Sequence, residues 1–268
     1  MIIRPSTNWL RMLFVWDGSV LKTIVPQLLL MLVISVVAVA TQGHVLGAKI
    51  PLDTVPFPLV GVSLAVEPGK AAYIPVGHDY PGAPAQLPLQ QVLDALRPVL
   101  QDPAKKKLGQ HGKYDLHVLR RHGVDVQGYH DDTMLESFVL NSTATRHDMD
   151  SLALRYLGYN TIKFEDVAGK GAKQIPFSQV GIDEASRYAA EDADITLRLH
   201  HALQPQLLAE PALDSVYRDI AMPLVPVPTR IEAHGVRTDP DALRPHRQNL
   251  PTPLPPLAHG ATRSLAAA

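Results

Sequence analysis

The sequence predicts an α/β domain over residues 59–210, and three observations predict it. VGVSLAVEP and KAAYIPVG are two short apolar runs around Pro68-Gly69, the pattern of a β-hairpin. Past the hairpin, amphipathic stretches of helical spacing alternate with a short strand candidate, KKKLGQ. Finally, IDEASRYAAEDADITLRLHHALQPQL, residues 182–207, holds helical spacing for about seven turns.

Each element has its own signal. LQQVLDALRPVL reads as an amphipathic helix, and KYDLHVLRRHG as a helix stopped by Gly123. TMLESFVLNS and MDSLALRYLG are further helices, the second with Asp148 as N-cap and Gly158 as stop. KFEDVAGKGAKQIPF is a loop before the long helix. Residues 211–248 contain AMPLVPVPTRIEAHGV, which has the apolar spacing of a short helix and several prolines. The tail, 249–268, carries four prolines and almost no charge, so disorder is expected there.

The 268 residues include 25 Lys+Arg and 26 Asp+Glu, a balance that argues neither for nor against nucleic acid. With no cysteine there is no disulfide partner, no thiolate nucleophile and no Cys-based zinc site. Residues 1–58 have a different character. Between Lys22 and Lys49 no charge occurs, and residues 24–40 are apolar except for Gln27 and Ser35. A spanning helix needs about 20 such residues, which the run reaches if it extends over about 24–46. Three readings stay open: a membrane span, a signal peptide cut near AVATQG, and a buried core helix. Arg4, Arg11 and Lys22 before the run would place the N-terminus of a span in the cytoplasm, with Trp9, Phe14 and Trp16 near the interface.

On the long helix Tyr188 and Asp192 stand four apart and share a face. Asp115, near the start of a helix that follows a short strand, can reach the sheet end where α/β domains bind ligands. Two converging aspartates repel unless a cation lies between them, which points to Mg2+ or Mn2+. The competing reading is that helical aspartates are solvated and the tyrosine is half-buried core. AGKGAKQ lacks the order of a phosphate loop and reads as a mobile basic loop. No two of the twelve histidines form an H-x-x-x-H pair, and His200-His201 suit a solvated face.

GQHGKYDLHVL, YHDDTMLESFVLNSTATRHDMDSLALRYLG, TIKFEDVAGKG and EASRYAAEDADITLRLH resemble the 3′–5′ proofreading exonuclease domain of bacterial DNA polymerase I. The resemblance runs over about 59–250, where MPLVPVPTRIEAHGV is similar to the start of the polymerase region. It implies an RNase H-like fold, a mixed sheet flanked by helices, here with an added N-terminal apolar helix and a disordered C-terminal tail. It also implies four carboxylates and a tyrosine acting with two divalent metals on a single-stranded DNA 3′ end, in the cytoplasm. By motif, Asp115 and Asp192 would bind metal and Tyr188 would orient water. Tyr114 and Phe164 would stack on unpaired bases, and His111 stands where the family has an asparagine contacting the terminal nucleotide.

The family's first motif, D-x-E, is missing before LVGVSLAV. Asp53-Thr54 imitates its start, but Val55 replaces the glutamate and Asp53 lies only six residues before Leu59. Asp53 is therefore a weak metal candidate, and weak or absent hydrolysis is expected. RPSTNWLRMLFVWDGSVLKTIVPQLLL and VPFPLVGVSLAV, within residues 1–66, resemble bacterial bestrophin-like membrane proteins. Both families write a similar phrase at 59–66, so a fusion through it is expected. Alternatives are a non-catalytic single-strand-binding remnant and a bestrophin-type fragment associated with the inner membrane through 24–46.

Overall fold

The computed structural model describes residues 32–38, 59–143 and 146–234. Five strands form one sheet in the order β3-β2-β1-β4-β5. They are β1 (Leu32–Ala38), β2 (Leu59–Glu67), β3 (Lys70–Pro75), β4 (Lys107–Gly109) and β5 (Tyr129–Asp132). β1 is antiparallel to β2 and parallel to β4, and β4 is parallel to β5, so the sheet is mixed, as expected.

The apolar run expected to form a helix over 24–46 is corrected at its centre. LVISVVA is strand β1, the middle of the sheet, not helix. An unbroken apolar run of this kind is compatible with either a buried helix or a buried strand, and four of its seven residues are β-branched. No helix among the described residues is long and apolar enough to cross a membrane. Of the other N-terminal expectations, those on Asp53 and the rest of 1–58 lie outside the described residues, as does the tail 249–268.

The hairpin turns at Pro68-Gly69, with Gly69 at φ 80°. Seven consecutive β2 residues are buried, the signature of a strand covered on both faces. On one side lie α1 (Leu89–Leu100) and α2 (Lys113–Arg121), packing Val92, Leu93, Leu96, Val118 and Leu119 against Val62, Leu64 and Ile74. On the other lies the long helix, whose small residues Ala185, Ala189 and Ala193 let it approach Val60, Tyr73, Ala65 and Leu108.

β5 was not expected, because YHDD has no apolar alternation and half of it is aspartate, a residue depleted in strands. It leads into α3 (Thr133–Leu140), followed by α4 (Met149–Leu152), a π turn over Ala153–Leu157, and α5 (Phe164–Ala168) in the expected loop. Asp148 caps α4 through Ser151 N at 3.0 Å, and Gly158 ends the turn at φ 60°, as read. The long helix is α6 (Ile182–Leu208). Then α7 (Pro211–Ser215), a π turn, α8 (Met222–Leu224) and α9 (Pro226–His234) fold back on the domain. Tyr217, Met222 and Val225 join Leu207 in a core that touches Leu116 and Leu135.

Candidate exonuclease cleft

β4 ends at Gly109, and the chain turns through Gln110, His111 and Gly112 into α2, which carries Asp115. His111 adopts φ 55°, the one non-glycine residue at positive φ among the described residues. Asparagine and histidine tolerate that region better than most side chains, so the exchange noted in the sequence keeps the turn. A Cβ at Gly112 would run into the Tyr129 ring and hydroxyl, which is why the turn closes on a glycine.

One buried side chain holds this turn. Asp132 accepts from His111 N (3.2 Å), Gly112 N (3.0 Å) and Tyr129 Oη (2.7 Å) while capping α3 through Met134 N (2.9 Å). Sequence reading missed it, although an aspartate directly before a helical run is an N-cap signal.

The turn places Asp115 in a cleft of about 240 Å³ that it lines with Gln110, His111, Tyr114, Met149, Asp192 and Thr196. Asp115 and Asp192 thus meet from α2 and α6. Asp192 is buried, and its carboxyl is pushed well above the usual range, first by burial and then by the negative charges of Glu191, Asp150 and Asp115. A hydrogen bond from Tyr188 opposes that rise in part. Burial, then the Asp192 charge, raises the Tyr188 hydroxyl in turn.

Phe164 and Phe177 stack with centroids 6.1 Å apart, and both rings pack on Tyr188, at 6.1 and 5.8 Å. Phe177 is buried, but Phe164 is 38% exposed and offers its ring to solvent. Tyr114, Phe164, Tyr188, Asp115, Asp192 and His111 are therefore all tied to one region. Glu191, on the same helix, accepts from Tyr159 Oη (2.6 Å) and Ile162 N (2.7 Å) while its negative charge acts on Asp192.

The donor set fits one divalent cation: two carboxylates share a cleft, and the charged form of one is disfavoured by burial and then by neighbouring negative charge. Among the described residues, the strand beside β4, LVISVVA, adds no carboxylate to this set.

A second acidic cluster joins Asp131, Glu136 and His200, all buried, with ligand-type atoms within 4.8 Å of one another. His200 is thus a core residue rather than one on a solvated face; its Nδ1 lies 2.6 Å from Glu136 Oε1. Burial raises Glu136 to about 7, and its Oε2 meets no donor among the described residues. Asp131 already has Arg218 at 2.6 Å and His130 at 2.6 Å. These groups outweigh burial and hold its carboxyl below the usual range. A guanidinium therefore supplies the countercharge, and the cluster ties α7–α9 to the sheet.

Residues 49–208 match the family model described as 3′–5′ exonuclease, and residues 1–66 match that of bacterial and fungal bestrophin proteins. DNA polymerase I of Pseudomonas aeruginosa is 58% identical over 187 residues, 69% of this chain and 20% of that protein. DNA polymerase I of Rhizobium leguminosarum is 40% identical over 229 residues, 79% of this chain and 22% of that protein. The chain thus spans about a fifth of the length of these relatives. A voltage-dependent anion channel-forming protein of Ralstonia nicotianae is 47% identical over 66 residues, 25% of this chain and 22% of that protein.

Among solved structures, the POL domain of Pol1 from M. smegmatis, in complex with DNA primer-template and dNTP, has a TM-score of 0.63. It is 18% identical and covers 86% of this chain and 33% of that one. Brucella melitensis NrnC bound to pGG has a TM-score of 0.54 at 16% identity, covering 78% and 88%. The same protein with bound Mg2+ gives 0.51 at 16%, covering 78% and 89%. These likenesses agree on the fold. With an exonuclease match over more than half its length, and a bestrophin-like segment joined before it, the chain belongs to the 3′–5′ exonuclease family of DNA polymerase I.

Proposed function

We propose that this chain holds the unpaired 3′ end of single-stranded DNA in the Asp115–Asp192 cleft and cuts it weakly or not at all. The observation that carries this reading is the pairing of a two-carboxylate cleft with a central strand that contributes no carboxylate. Phe164 and Tyr114 offer rings for base stacking. Asp115 and Asp192 would hold Mg2+ or Mn2+, which when bound polarises a phosphodiester and acidifies water. Tyr188 keeps its proton at neutral pH and can donate it to Asp192 or to a bound water. With two of the family's four carboxylates, two-metal hydrolysis lacks half its ligands, and losing one such stabiliser already costs about 10²–10³ in rate.

Residues 59–210 would form the exonuclease unit and 211–248 a truncated start of the polymerase region. Membrane association through 24–46 would withdraw β1 from the sheet centre, so we assign residues 32–38 to the sheet. Binding separates this reading from an inert remnant. The full chain should bind an oligonucleotide with an unpaired 3′ end and lose about 1–3 kcal/mol on Phe164→Ala. Equal affinity of the two proteins would contradict the role given to Phe164, and equal affinity for blunt duplex would contradict end recognition.

A further inference from the structure

Helix α2 carries Lys113, His117 and Arg121 at intervals of four, so the three fall on one face over about 12 Å. With His111, Tyr114 and Val118 they line a second cleft of about 260 Å³. His111 and Tyr114 also line the carboxylate cleft, so the two clefts share those walls.

Glu232 of α9 reaches into this basic cleft. Lys113 Nζ donates to its Oε1 at 2.6 Å, and His117 Nε2 lies 3.1 Å from its Oε2. The hydrogen bond from Lys113, more than any other influence, holds the Glu232 carboxyl below its ordinary range. A carboxylate held at one oxygen by an ammonium and at the other by an imidazole nitrogen occupies the position that phosphodiester oxygens take on the same groups.

We propose that this cleft is a phosphate subsite for the strand whose 3′ end lies between Asp115 and Asp192, and that Glu232 is its internal occupant. A backbone phosphate of single-stranded DNA displaces Glu232, exchanging one negative charge for another on Lys113 and His117. Glu232, 40% exposed at its side chain, then turns to solvent. The subsite rests on the function proposed above. It adds the route by which the strand leaves the cutting position, along α2 towards Arg121.

The test measures binding of fluorescent oligothymidylate to the full chain in EDTA, over a series of salt concentrations. Glu232→Gln should tighten binding about fivefold, the worth of a partly exposed ion pair. It should also steepen the slope of log affinity against log salt by about 0.7. Adding Lys113→Met should abolish both gains, while adding Lys106→Met, an exposed lysine at the opposite end of β4, should leave them. Wild-type binding with no change in Glu232→Gln would overturn the subsite and leave the cleft's function standing. No binding by any of these proteins, each melting cooperatively, would overturn both.

Discussion

Val33 lies opposite Leu108 in parallel register, and Ser35 opposite Ser63 in antiparallel register. Those pairings put a strand from the bestrophin-like segment into the centre of an exonuclease sheet. β1 falls within the bestrophin match at 1–66 and before the exonuclease match at 49–208. Parallel β4 and antiparallel β2 both need a hydrogen-bonding neighbour there, since an open gap between them would leave two rows of buried backbone groups unpaired. A β-branched apolar strand meets that need, whatever its origin.

If β1 completes the sheet, proline should not be tolerated in it. Val36 pairs with Val62 in the middle of the ladder. Val36→Pro should lower stability by about 3 kcal/mol or more, read by urea unfolding of the full chain. An unchanged midpoint would show that residues 32–38 stand apart from the fold.

Asp132 should matter to the site without touching a ligand. Asp132→Ala removes a helix cap, worth about 1–2 kcal/mol. It also leaves the backbone N–H groups of His111 and Gly112 without their acceptor. Stability should fall by at least about 2 kcal/mol, and affinity for manganese should fall with it as Asp115 loses its fixed approach. Calorimetric titration at a temperature where the variant is folded would check this.

Glu136 gives a pH dependence. Its ordinary value is 4.5 and burial raises it to about 7 in the folded chain. The folded state therefore binds the proton more tightly, so this group's stabilising contribution is complete below about pH 4.5 and lost as pH rises to about 7. Glu136→Gln should flatten the fall in Tm between those values, measured by scanning calorimetry. A wild-type Tm that rises across this window for reasons traceable to Glu136 would contradict the assignment.

Asp192 should show the opposing demands of stability and chemistry. Its carboxyl is raised by burial and by three neighbouring carboxylates, so ionising it costs the fold. Asp192→Asn should stabilise the chain above neutral pH, by about 1–2 kcal/mol, and should abolish divalent-cation binding. Denaturant unfolding with and without manganese reads both effects.

Much of this was legible in the sequence because it is local. The Pro68-Gly69 turn, the Asp148 cap and the Gly158 stop each depend on one or two residues, and each stands as read. Tyr188, Asp192 and Asp115 were singled out through motifs written on single helices. What was missed is long-range. Residues 32–38 were read as helix because an unbroken apolar run has no period to betray it, and only pairing with Leu108 and Ser63 decides it. YHDD was missed because Asp131 is buried against Arg218 and Tyr217, 86 or more residues away. The Lys113–Glu232 pair, 119 residues apart, leaves no local trace either.

The account turns on whether the cleft cuts what it holds. The full chain, incubated with manganese and an oligonucleotide labelled at its 5′ end, should retain the strand and leave most of it at full length over hours. Complete stepwise shortening from the 3′ end in that time, lost on Asp192→Ala, would contradict this reading and show that two carboxylates suffice or that Asp53 completes the set.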